Sequence, residues 1–185
     1  SPFNIMYELD NNYMNLHVVD MKFQSELKWK PIQGLELSAL GAVKYQTTSQ
    51  EHFITDNSNQ AQAYRAMGDA TIRALPISIL PQGGIYQKTD YKMVGYDFRA
   101  TANYNHSFGE SHITNLFLGT ETNSIDRNKT FFNGWGMQYT MGAIPFYTYQ
   151  FFKKSIEEGT DYYSVNDTRA RNVAFFANGT YSFQG

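Results

Sequence analysis

The sequence predicts an all-β fold: a segment of an antiparallel transmembrane β-barrel, about five strands of a larger barrel, with long extracellular loops carrying short helices. Three observations predict it. Five stretches alternate apolar and polar residues with a period of two, as strands with one apolar face do. The longer stretches run to about 13 residues, against the ~5–6 of an ordinary globular strand. At ~3.3 Å per residue and a tilt of ~40°, such a strand rises ~33 Å, enough to cross an apolar band ~25 Å tall. Finally, the connections alternate. Those after strands one and three are a few residues long, and those after strands two and four are about 45 residues each, roughly 46–92 and 123–171. Connections beyond ~15 residues are uncommon in compact domains, and short turns on one side with long loops on the other are the layout of a transmembrane barrel.

The first strand is expected over about Val18–Lys30, with Met21, Phe23, Leu27 and Trp29 on one face and Asp20, Lys22, Gln24, Glu26 and Lys28 on the other. Pro31-Ile32-Gln33-Gly34 then turns the chain, because proline presets φ and glycine tolerates φ > 0. The second strand, about Leu35–Thr47, sets Leu35, Leu37, Ala39, Val43 and Tyr45 against Glu36, Ser38, Lys44 and Gln46, with Leu40 and Ala42 also on the second face. The third, about Val94–Asn105, sets Val94, Tyr96, Phe98, Ala100, Ala102 and Tyr104 against Asp97, Arg99, Thr101, Asn103 and Asn105. After the turn HSFGESH, the fourth runs over about Ile113–Thr122, with Leu116 and Leu118 apolar and Asn115, Gly119 and Glu121 polar. The fifth, about Asn172–Phe183, sets Val173, Phe175, Ala177, Tyr181 and Phe183 against Asn172, Asn178, Thr180 and Ser182.

Charge sets the hairpin registers, since like charges directly opposite are unfavourable. The first hairpin is expected to place Lys28 opposite Glu36, Asp20 opposite Lys44, and Phe23 over Gly41. The second is expected to pair Arg99 with Glu121. Trp29 and Tyr104 at the short-turn ends, and Tyr45 and Tyr96 at the other ends, suit interfacial aromatic girdles. Within the long connections, Asn59–Met67 reads as a helix stopped by Gly68. Thr148–Glu158 reads as another, with Tyr149, Phe152 and Ile156 on one side and Gly159 as its stop.

Composition excludes several classes. The 185-residue chain carries a formal net charge of -2, whereas nucleic-acid binding needs a basic excess. With no cysteine, thiolate catalysis, disulfides and zinc–thiolate sites are out. No run approaches the ~20 apolar residues of a membrane helix. The opening SPFNIMYEL lacks the basic and apolar regions of a signal peptide. There is no nucleophile elbow and no phosphate loop, so neither an enzyme nor a cofactor is expected.

Taken together, PFNIMYELDNNY, LKWKPIQGLELSALGAVKY, YDFRATANYNHSF, LFLGTETNSIDRN and RNVAFFANGTYSF resemble the barrel of SusC/RagA-type TonB-dependent outer-membrane transporters of Bacteroidetes. The resemblance covers nearly the whole chain and rests on the order of several motifs. It implies one β-barrel domain over residues 1–185, an interior piece of a 22-stranded barrel, with the plug, the TonB box and the remaining strands outside this sequence. It also implies import of oligosaccharides or oligopeptides in the outer membrane. The implied partners are a SusD-like surface lipoprotein as lid, the TonB complex acting through the plug, and the surrounding lipid and lipopolysaccharide.

Candidate substrate contacts are the rings of TFFNGWGMQY, Phe131, Phe132, Trp135 and Tyr139, because flat rings stack on sugar faces or peptide side chains. Packing of that loop on itself or on the lid is the alternative. Luminal Arg99 and Glu121, with Asp97, Asn103 and Asn115, are candidates to line the path; holding the plug or wetting the lumen is the alternative. His106 and His112 flank a turn with only Glu110 nearby, too few ligands for a metal. Asp56-Asn57-Ser58-Asn59 lacks the glycine and closing glutamate of a calcium loop. Arg169 and Arg171 read as a strand-end charge pair rather than an anion site. Two rival readings are a soluble β-sandwich binding module, which would bury its apolar face in a dry core, and an outer-membrane barrel enzyme, which would need a catalytic set at one rim.

Overall fold

The computed structural model describes residues 5–66, 83–145, 149–159 and 161–183. Within them the chain runs α1 (Ile5–Asn11), β1 (Asn12–Ile32), β2 (Leu35–Ile54), α2 (Asn59–Ala66), β3 (Gly84–Phe108), β4 (His112–Gln138), a 3₁₀ turn (Tyr139–Met141), β5 (Ile144–Pro145), α3 (Tyr149–Glu158) and β6 (Tyr163–Phe183). The strands form one six-stranded sheet in the order β1-β2-β3-β4-β5, with β6 also pairing β4. The two-residue β5 is antiparallel to the end of β4, Met137 facing Pro145 and Gln138 facing Ile144. All five expected strands are present, and each is longer than its clean alternation: 21, 20, 25, 27 and 21 residues. Part of the extra length lies where both faces are polar, as in Gln46–His52, so hydrophobic period gives no signal there while backbone pairing continues.

The chain divides into two compact units. The second comprises Val19–Gln46, Lys92–Arg127 and Asp167–Gly185. Its hairpin turns at Gln33-Gly34, and Gly34 is required twice over. Its φ is +87°, and a Cβ there would sit 2.2 Å from the Asn105 carbonyl oxygen. That close approach lets the Asn105 N–H donate to the Gly34 oxygen at 2.7 Å.

The β3–β4 register is as charge predicted, since Arg99 reaches Glu121 at 2.8 Å. In the first hairpin the expected ion pairs differ, although the Ser38–Glu26 contact fits the expected register. Glu36 closes on Lys30 at 3.2 Å rather than on Lys28. Lys28 turns to Glu26 on its own strand at 3.5 Å. Lys44 is drawn to Asp97 of β3 at 3.3 Å, because the neighbouring strand offers it a carboxylate on the same polar face. The space over Gly41 is open, with nothing within 4 Å of a built Cβ, so Phe23 does not cover it.

The unit's one buried hydrophobic residue among those described is Ala42. Its large apolar side chains lie outside. Phe23 is 70% exposed, Phe98 50% and Phe175 82%. Leu37 is half-buried in a shallow groove of about 730 Å³ lined by Trp29, Ala39, Ala100, Leu118, Phe175 and others. A two-faced sheet with no dry interior is therefore the state of this unit.

The first unit comprises Ser1–Val18, Thr47–Tyr91 and Asn128–Asn166. It has a small core: Ile54, Ala61 and Ile85 are buried, and Trp135 packs against them. Ser58, itself fully buried, caps α2, with the Ala61 N–H donating to its Oγ at 3.0 Å. The stretch weighed as a calcium loop is thus a helix cap. In α3, Phe152 packs edge-on against Tyr162, but Ile156 is exposed and Ser155 is buried, so the expected apolar stripe is rotated. Gly159, at φ +64°, ends the helix as expected. Met67, Gly68 and Thr148, and the side chain of Tyr149, lie outside the described residues.

Candidate functional site

The polar face of the second unit is built from strand residues at every second position, which the pleat aims to one side. Asp97 holds Lys44 and accepts a hydrogen bond from the Asn123 amide. Arg99 holds Glu121. The Ser38 hydroxyl donates to Glu26. Every charge here that was a candidate path residue is thus already matched by an opposite one, so a charged ligand must displace a partner to bind. Asn115 is exposed on β4. Asn103 differs: among the described residues its buried side-chain oxygen finds no hydrogen-bond donor.

One feature of this face was missed. Phe176 lies over Gly119, its ring 2.2 Å from where a Cβ would stand, and it packs at 5.7 Å against Phe117. An apolar ring pair therefore interrupts the polar face. The available signal was a glycine inside a strand, which marks a close approach.

In the first unit the four candidate rings separate. Phe132 meets Tyr86 at 6.3 Å, Tyr86 meets Phe53 at 5.1 Å, and Phe53 stacks on Tyr13 at 5.0 Å. This row of rings crosses four strands. Trp135, an odd number of residues further along β4, faces the other way onto Ile54, Ala61 and Ile85. Phe131 is half-buried on the Trp135 side of the pleat. Tyr139 lies in the 3₁₀ turn, 6.3 Å from Phe53, and donates its hydroxyl to the Ile85 carbonyl at 2.6 Å. Burial pushes the Tyr139 phenol up to about 12, so it remains a neutral donor. The stretch expected as a loop is strand as far as Gln138, and the pleat divides its rings between two surfaces.

A polar cluster joins α1 to α2. The Asn12 amide donates to Glu8 at 2.9 Å and to Gln60 at 3.0 Å, and Asn12 Oδ1 lies 2.5 Å from His52 Nε2. The Asn59 N–H, at the start of α2, donates to Glu8 at 2.6 Å. Partial burial raises the Glu8 carboxyl, but its hydrogen bonds from Asn12 and Asn59 outweigh this and leave it below the usual carboxylate range.

His106 and His112 do not face each other. His106 stacks on Tyr104 and meets Phe108 edge-on, while His112 shares a hydrogen bond with Tyr181 and packs on Phe183. No three potential metal ligands of the His, Cys, Asp and Glu types come together among the described residues.

No family model matches the chain, and no curated protein matches it. Solved structures do. The chain aligns with the RagAB peptide transporter at a TM-score of 0.71 and 16% identity, covering 96% of this chain and 17% of that one. It aligns with the RagAB peptide importer in the "closed-closed" state at 0.70 and 16%, and in the "open-open" state at 0.69 and 17%, with the same coverage. The chain thus spans about a sixth of the length of the chains it matches, and what it shares with that portion is the fold.

Proposed function

We propose that this chain is part of the β-barrel of an outer-membrane transporter that imports oligopeptides or oligosaccharides, and that it has no catalytic role of its own. The observation that carries the reading is the second unit. Its large apolar side chains are exposed while its polar face is ion-paired. An apolar surface of that extent is not kept in water, and on strands this long it suits hydrocarbon. A β-sandwich would have put Phe98 and Phe175 in a dry core, and they are outside. The likeness of fold to the RagAB structures adds support. In this reading the short turns face the periplasm and the long connections face outward. A SusD-like lipoprotein covers the outer mouth, and TonB acts through a plug supplied by other sequence.

The test is fractionation and uptake with the full-length protein. It is expected in the outer membrane, extractable only with detergent. Cells lacking it should lose uptake of labelled oligopeptides or of oligosaccharides, and which one is lost names the substrate. A protein recovered from the soluble fraction without detergent would end the proposal.

A further inference from the structure

Along β6, Arg169, Arg171, Val173, Phe175 and Ala177 occupy every second position. Their common face is established by their neighbours. Phe175 is 82% exposed, whereas Phe176 beside it on the chain packs against Phe117 and lies over Gly119. Ala170 and Phe176 are half-buried, and the five alternate residues are exposed. On β3, Lys92, Val94, Tyr96, Phe98 and Ala100 follow the same order, and Ala100 lines the same groove as Phe175. Lys92 sets its ammonium 5.9 Å from the centre of the Tyr45 ring.

Two strands therefore carry cations next to large apolar residues on one face of the second unit, with Asp90 and Asp167 preceding those cations at the same spacing and Asp90 held by Lys88 at 3.5 Å. The cations sit at the same end. Lys92 lies on the side of the β3 apolar run away from the Gly109 turn, and β6 runs from its arginines towards Tyr181 and Phe183 beside His112, which follows that turn. Arg171 and Phe175 are four residues apart, about 13 Å. Arg169 reaches Asp126 through Nε at 3.5 Å, and its side chain remains 73% exposed. Among the described residues, Lys92 and Arg171 have no carboxylate partner.

Cations at the head of an apolar face are complementary to an anionic amphiphile, with phosphate at the rim and acyl chains over Val94, Phe98, Val173 and Phe175. Guanidinium forks suit phosphate, which they bind through two parallel hydrogen bonds. Resting on the transporter reading, in which this end lies in the outer leaflet, we propose that Lys92, Arg169 and Arg171 bind the phosphorylated headgroup of lipopolysaccharide. A bare solvated rim would need no alternation of this kind on two strands.

The test places the full-length protein in nanodiscs of zwitterionic lipid and titrates purified lipopolysaccharide. The variant Lys92→Gln/Arg169→Gln/Arg171→Gln should bind about a hundredfold more weakly, at about fivefold per cation. Lys28→Gln/Lys30→Gln, which removes cations near the Gly34 turn, should bind as the parent does. If heat-dependent gel mobility shows that the triple variant misfolds, Arg171→Gln alone should show the fivefold loss. Unchanged affinity in the folded variants, an equal loss in the control, or equal binding of phosphatidylglycerol by the parent would overturn the proposal. A protein that fails to enter nanodiscs would instead defeat the transporter reading.

Discussion

The two units use the same kinds of strand in opposite ways. The first gathers Ile54, Ala61, Ile85 and Trp135 into a core and completes it with a capped helix. The second has Ala42 as its one buried apolar residue among those described, and leaves Phe23, Phe98 and Phe175 outside. The difference teaches that apolar side chains alone do not tell where a strand hides its surface. In the first unit the loss of water comes from the protein's own packing. In the second the described residues do not supply it.

The sharpest break of this contrast is a charge on the second unit's apolar face. Phe98→Arg should cost about 4 kcal/mol of stability in lipid vesicles, because a cation then sits in hydrocarbon. Urea midpoints of the full-length barrel in vesicles measure it. A soluble sheet would tolerate arginine at a half-exposed site, so an unchanged midpoint would remove the membrane from the comparison.

Next comes the first unit's core. Ile85→Ala deletes a side chain that is 1% exposed, with an expected cost of about 3 kcal/mol. The cost should be the same in vesicles and in detergent, since protein packing supplies the burial. Hydrogen exchange should quicken in Asn59–Ala66 and Gly84–Tyr91 while the amides of Val94–Asn105 hold. Loss of protection through both units together would mean that they are one cooperative body.

A smaller effect lies at the start of α2. Ser58→Ala should cost about 1 kcal/mol by leaving the Ala61 N–H without its cap. The Glu8 contact adds a pH dependence of defined sign. Its carboxyl is depressed in the folded state, so its stabilisation is fully present above the ordinary glutamate value of about 4.3 and is lost as pH falls through the folded value. Proteolysis near Asn59 should therefore accelerate on acidification below about pH 4. Glu8→Gln should already be faster at neutral pH and flat across that range.

Much of the second unit was legible because its two faces differ in polarity, so alternation, face and the Arg99–Glu121 register could all be read from residue type. The first hairpin's ion pairs were not. Lys28 and Lys30 both reach carboxylates there, and charge alone does not choose between them. The strand extensions were illegible where both faces are polar, as through Gln46–His52. Helix α1 was missed because its seven residues hold too few turns for a period to show. The splitting of Phe132 from Trp135 was hidden by reading their stretch as a loop, which has no faces; once it is a strand, an odd separation divides them.

The smallest stability change should come from Arg99 and Glu121, a pair whose side chains remain 53% and 41% exposed. A double-mutant cycle with Arg99→Gln and Glu121→Gln should give a coupling below about 1 kcal/mol, because water competes for both groups. Function separates the candidate path role from a merely wet surface. Glu121→Gln releases the guanidinium from its 2.8 Å partner, leaving a cation for an anionic group on a passing oligomer. Uptake of acidic oligopeptides should then rise relative to neutral ones, and Arg99→Gln should reverse that preference. Equal uptake of both classes by all three proteins would leave the pair a surface contact and remove it from the transport path.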